Sequence, residues 1–140
     1  MTIKQLSIFI ENKGGTLIRV LDLLSQAGIQ IIASTVADTK DYGIYRVLCN
    51  EPAKAYLIMK EAGINTQLSD VFTLSIDDEP GCAAKAIKTI SDAGVSILYL
   101  YSFLWNGRGV LAFRVDDAEK AKEIIMLKKM HFLTEDDFKK

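Results

Sequence analysis

The chain is poor in the residues that most often carry chemistry. Its 140 residues include one histidine, one tryptophan, two prolines and two cysteines. One imidazole and two distant thiols, Cys49 and Cys82, cannot supply the ligand set of a zinc site, so no metal is expected. The thiols form neither a CxxC pair nor a disulfide framework. Charge of one sign is also lacking: 17 Lys and Arg face 18 Asp and Glu, a net −1 with the signs interspersed. No basic stripe is left for a phosphate backbone. No apolar run reaches the length of a membrane span. The opening Met1-Thr2-Ile3-Lys4 leads into an apolar stretch that Glu11 and Asn12 break, too short for a signal-peptide core. The cytoplasm is the expected location. What is present is an ordinary globular mixture, 49% apolar and 25% charged, long enough to bury a self-sufficient core.

The chain repeats itself. At an offset of 66 residues, Ile10 falls on Ile76, Gly15 on Gly81, Ser25-x-Ala27-Gly28 on Ser91-x-Ala93-Gly94, Gly43 on Gly109 and Ile58 on Ile124. Such self-similarity marks two copies of one structural unit. Leu6, Ile8 and Ile10 alternate as in a half-buried strand, and so do Phe72, Leu74 and Ile76. Leu17, Val20, Leu21 and Leu24 then follow at helical spacing, with Gly28 as the stop; Ala83, Ala86, Ile87, Ile90 and Gly94 repeat this. A second strand covers 29–37 and 95–103. Asn106-Gly107 marks a tight hairpin into a third strand, 43–49 and 109–115. Pro52 opens one second helix, where a missing N–H is harmless, and Asp116-Asp117 opens the other. A short fourth strand closes each unit, near 65–68 and 130–133. The order β-α-β-β-α-β predicts an α+β fold, a ferredoxin-like unit repeated twice with antiparallel sheets and helices on one face. The expected units are 1–68 and 69–140. The tail from Thr134 resembles a capping box or a frayed end.

Helices on one face leave the other to water. Strict alternation, with Ile29, Ile31, Tyr45 and Val47 facing the helices, puts Ile32, Val36, Ile44 and Leu48 on the open face of the first unit. In the second it puts Leu98, Leu100, Leu104 and Val110 there, with Tyr99, Tyr101, Phe103 and Trp105 turned towards the helices. Such an apolar stripe calls for a cover. A homodimer through this face is expected; a groove for a hydrophobic molecule is the alternative.

The most informative segments join the first strand to the first helix: Glu11-Asn12-Lys13-Gly14-Gly15-Thr16 and Asp77-Asp78-Glu79-Pro80-Gly81-Cys82. Glycine permits a sharp turn, and the helix start presents unpaired N–H groups suited to a carboxylate. Nearby acids can receive an ammonium group, so one such loop can hold both ends of an α-amino acid. Acids before a helix also serve as plain caps.

At this loop the sequence resembles the ACT domain, an amino-acid-binding regulatory module. Asp78-Glu79-Pro80-Gly81 with Ala93-Gly94-Val95-Ser96-Ile97 carries the resemblance, together with the looser pair Asn12-Lys13-Gly14-Gly15 and Ala27-Gly28-Ile29-Gln30-Ile31. Glu11-Asn12-Lys13, Ala37-Asp38-Thr39-x-Asp41-Tyr42-Gly43-Ile44-x-Arg46 and Tyr99-x-Tyr101-x-Phe103 resemble the free-standing tandem ACT proteins, which lack a catalytic domain. The resemblance implies a ligand held between ACT units. On the loop side it implies Asn12, Lys13, Gly14, Gly15 and Thr16, and Asp78, Glu79, Pro80, Gly81 and Cys82. On the second strand of a neighbouring unit it implies Gln30, Ile31 and Ile32, and Ser96, Ile97 and Leu98. Three positions depart from the family pattern: Gln30 and Ser96 stand where Asn is usual, and Gly14 where proline is usual.

Nothing else points to chemistry. His131 has no nucleophile pattern around it, Cys49 ends a strand on the buried face, and Cys82 at a helix start reads as a small loop residue. Gly14-Gly15 and Gly107-x-Gly109 lack the spacing of phosphate or dinucleotide loops. The expected function is a non-enzymatic, amino-acid-responsive regulator without a cofactor, acting through a metabolic enzyme or its own assembly. The alternative is a purely structural dimerisation or docking module. A nucleic-acid binder or a small enzyme has no supporting residues, and no membrane partner is implied.

Overall fold

A computed structural model describes residues 1–11, 15–38 and 42–139. The order is β1 (Ile3–Glu11), α1 (Thr16–Gln26), β2 (Ile31–Asp38), β3 (Tyr42–Cys49), α2 (Pro52–Glu61), β4 (Thr66–Ile76), α3 (Cys82–Asp92), β5 (Ile97–Trp105), β6 (Arg108–Val115) and α4 (Ala118–Leu127). The chain forms two compact units, each drawing one short piece from the far terminus. The first is Lys4–Ser69 with Glu135–Lys140, and the second is Met1–Ile3 with Asp70–Thr134. Phe138, in a 3₁₀ turn over Glu135–Phe138, is buried, and Glu135 accepts a bond from the Lys4 amide at 3.0 Å. The α+β arrangement of two βαββαβ units expected from the repeat is the one observed.

In the first unit β3 lies between β2 and β1, antiparallel to both; in the second, β6 lies between β5 and β4 in the same way. Two amphipathic helices pack on one face of each sheet. The first core joins Leu6, Ile8, Tyr45 and Val47 to Val20, Leu24, Ala55 and Met59. The second joins Phe72, Leu74, Leu111 and Phe113 to Ala86, Ile90, Ala121 and Ile125. Gly28 and Gly94 end the first helix of each unit with left-handed φ of 71° and 85°. Pro52 sits in the first turn of α2, and the Asp117 carboxylate caps α4 by accepting from the Lys120 amide at 3.1 Å. The hairpin at Asn106-Gly107 has positive φ at both residues, the type I′ geometry that this pair favours. The closing strands differ from expectation. The first is the beginning of the 11-residue β4, and the second is only a bridge at Phe132.

The expected open face is corrected. Register shifts between Ile31 and Ala33 and between Ile97 and Tyr99 insert one extra residue near the start of each second strand. One extra residue inverts the alternation of everything after it. Val36 pairs with Tyr45, Leu100 with Phe113, and Leu104 with Gly109, which places these three on the helix side. Tyr99, Tyr101, Phe103 and Trp105 therefore lie on the helix-free side, opposite Arg114, Ala112, Val110 and Arg108. Ile44 and Leu48 keep the expected side, as does Val110. Leu48 and Val110 are each 1% exposed, and Gln5, Thr73 and Ala112 on the same faces are also buried within the single chain. The large exposed side chains of β5 are Leu98, Leu100 and Leu104, on an outer strand that the helices do not cover.

Candidate functional site

The described borders of three connections meet at one end of each unit: the end of the first strand with the start of the first helix, the flanks of the hairpin, and the link from second helix to closing strand. Register brings them together, since Ile10 and Asp38 both pair with Gly43, and Glu11 with Tyr42. In the first unit they surround a groove of about 580 Å³ lined by Glu11, Gly15, Thr16, Arg19, Tyr42 and Asn65, among others. The second unit has a groove of about 500 Å³ lined by Asp77, Cys82, Lys85, Arg108 and His131. Asp77 is the 66-residue partner of Glu11, Cys82 of Thr16, Lys85 of Arg19, Arg108 of Tyr42 and His131 of Asn65. The two grooves are one feature drawn twice with different side chains.

The differences are chemical. In the first groove Phe9 and Tyr42 meet as tilted rings 5.9 Å apart, and Arg19 Nη2 donates to the Ala62 carbonyl at 3.1 Å. At the same two strand positions of the second groove, Arg108 Nε donates to Ser75 Oγ at 2.7 Å. Its Nη1 donates to Asp77 Oδ1 at 2.8 Å. The closing segment is held alike in both: the Phe9 amide bonds the Asn65 carbonyl at 2.9 Å, and the Ser75 amide bonds that of His131 at 2.8 Å. On the other flank of the second loop lies a smaller groove of about 330 Å³, lined by Asp77, Asp78, Glu79, Ala83, Ser102 and Leu104.

Both first helices begin at a left-handed glycine, Gly15 at φ 101° and Gly81 at φ 89°, with no side-chain cap among the described residues. The first helical bonds run from Arg19 to Gly15 and from Lys85 to Gly81. At α3 the Cys82 amide turns back onto the Glu79 carbonyl at 3.2 Å, leaving the Ala83 and Ala84 amides at the helix mouth.

Of the expected site residues, Asn12, Lys13 and Gly14 lie outside the described residues, as do Thr39 and Asp41. Gly15 and Thr16 line the first groove. Cys82 lines the second, and Asp78 and Glu79 the smaller one; Pro80 and Gly81 are exposed in the turn between. The second-strand residues are elsewhere within each unit. Gln30 and Ile31 line a separate groove with Leu21 and Ser25. The Gln30 amide donates to Asn50 Oδ1 at 3.0 Å, and the Ser96 amide donates to Asp116 Oδ1 at 2.9 Å. Ile31 pairs with Cys49 and Ile97 with Val115, at the opposite sheet end from the glycine loops. Ile32 and Leu98 are the extra residues of the two register shifts. Arg19, Lys85, Arg108 and Ser102 were missed by sequence reasoning; the 66-residue offset, carried to 65 and 131, would have paired the grooves.

Among the described residues no group of three His, Cys, Asp or Glu is placed to hold a metal ion, and no helix is long and apolar enough to cross a membrane. The buried Cys49 thiol titrates above its ordinary value because burial disfavours the thiolate.

The family model for the ACT domain pair matches residues 1–140. The chain belongs to this family. A Bacteroides thetaiotaomicron protein of known structure is 36% identical, with a TM-score of 0.93 over 100% of this chain and 97% of the other. The fold is shared more distantly with the regulatory subunit of aspartate kinase from Thermus thermophilus. That match has 14% identity and a TM-score of 0.62, over 89% of this ACT pair and 91% of the subunit. The Thermus flavus subunit is similar at 15% identity and a TM-score of 0.60, over 89% and 90%. No protein of curated function matches in sequence.

Proposed function

We propose that this ACT pair is an amino-acid-binding regulator without catalytic activity of its own, acting in the cytoplasm through its assembly or a metabolic enzyme. The carrying observation is the pair of uncapped helix starts, each preceded by a left-handed glycine and flanked by an acid, Glu11 or Asp77. First-turn amides receive the carboxylate of the ligand, and an acid of the loop receives its ammonium group. The regulatory subunits of aspartate kinase that share the fold support the regulatory reading.

The ligand sits between units of two copies, in a homodimer joined through β5 rather than through the sheet face. A nine-residue outer strand with no charge and no proline is open to edge pairing. Antiparallel pairing of two β5 strands lays the start of one, Ser96 to Leu98, beside the end of the other. That end is the groove of Ser102, Leu104 and Ala83. As sequence repeats the units are assigned as 1–68 and 69–140, apart from the two short terminal pieces that fold with the far unit. Each has one loop: 12–16 with strand residues 30–32, and 78–82 with 96–98. The exposed leucines of β5 favour one alternative, a purely structural dimer without ligand.

Thermal unfolding with each of the twenty amino acids tests the reading, since a ligand of the folded state raises Tm with concentration. A rise for a small subset is expected. A flat response to all of them would leave the structural dimer.

A further inference from the structure

We infer that the second unit's groove, between α3, the β6 end and the segment after α4, binds a small dianion, and that the equivalent first-unit groove does not. Three cations, Lys85, Arg108 and Lys128, line it with His131 against the single carboxylate of Asp77. That carboxylate is already engaged by Arg108 at 2.8 Å. Arg108 spends Nε on Ser75 and Nη1 on Asp77 and keeps Nη2 for a ligand. The ammonium groups of Lys85 and Lys128 have no hydrogen-bond or ion-pair partner among the described residues.

The repeat supplies the control. At the matching first-unit positions the cations become Tyr42 and Ala62, and Asn65 replaces His131. Arg19, the remaining cation among the described lining residues, is turned onto the Ala62 carbonyl at 3.1 Å. In the second unit Lys128 stands where Ala62 stands, so two ammonium-bearing side chains, Lys85 and Lys128, line this one groove. Like charges gathered at one groove are unfavourable alone and favourable around a multivalent anion. The chain as a whole is net −1, so this excess is local. The remaining guanidinium nitrogen and two ammonium groups lining the same groove suit a phosphate monoester or a short dicarboxylate, both carrying two negative charges.

The test is calorimetric titration of the full chain with inorganic phosphate and, separately, with succinate. Saturable, salt-weakened binding of at least one is expected, and which one binds distinguishes the two sources. The double variant K85Q/K128Q should weaken it by about tenfold or more, while R19Q leaves it unchanged. All three positions are exposed, and circular dichroism checks that the variants fold. Alkylation of Cys82, which lines the groove, should block binding. Binding of neither anion, equal binding by K85Q/K128Q, or loss in R19Q would overturn the inference. The readout is binding of phosphate or succinate, so its failure is distinct from a failure of zwitterionic amino acids to bind at the loops.

Discussion

Replacing Gly81 by alanine separates conformational strain from steric conflict at the start of α3. Gly81 has φ 89° and ψ −16° and no atom within 4 Å of an added Cβ, so alanine has space there. Its penalty comes from the backbone alone, about 1–2 kcal/mol for an L-residue in left-handed geometry. Loss of glycine's freedom in the unfolded chain returns about 0.4–1 kcal/mol. The net expectation is a destabilisation of about 1 kcal/mol. Gly81→Asn should recover part of it, because asparagine tolerates positive φ. Gly109 is the opposite case: its φ is ordinary, but a Cβ would sit 3.2 Å from Ile76 Cγ1. Gly109→Ala should therefore be relieved by Ile76→Ala, and Gly81→Ala should not. Urea unfolding followed by circular dichroism measures each. A stabilised Gly81→Ala, or one rescued by Ile76→Ala, would refute the left-handed turn that presents the helix amides.

Further outcomes follow from the packing and the thiols. Ile125 is fully buried in the second core, so Ile125→Ala should lower stability by about 2–5 kcal/mol in urea. Cys82 is partly exposed and should react with a thiol reagent in the native state, whereas Cys49 should react only on unfolding. Because burial raises the Cys49 pKa, the folded state keeps its proton after the unfolded thiol, with its ordinary value of 9.0, has lost it. Stability should then fall as pH rises above that value, and less in Cys49→Ala. Leu100→Lys on the outer strand should give a folded monomer by sedimentation; an unchanged dimer would remove β5 as the joint.

Much of the fold was legible because its punctuation is local. Gly28, Gly94, Pro52 and Asn106-Gly107 each carry a backbone preference that any context must respect. The bulges in β2 and β5 were not legible, since Ile32 and Leu98 look like ordinary strand residues and their extra length shows only in the pairing with β3 and β6. That one residue per strand reversed the reading of Val36, Leu100, Leu104 and the β5 aromatics. The loops were located from glycine and acid spacing alone. Their grooves were not, because Arg108 reaches Asp77 across 31 residues of chain and His131 arrives from the far end of the unit. A pairwise contact at that separation leaves no periodic trace, and only the repeat hints at it.

The central claim is that the glycine loops hold an amino acid, and isothermal titration of the intact chain with each of the twenty amino acids tests it most directly. Saturable heat from one or a few related amino acids is predicted, diminished when the α3 turn is distorted by Gly81→Val. No saturable heat from any of them at millimolar concentration would contradict it.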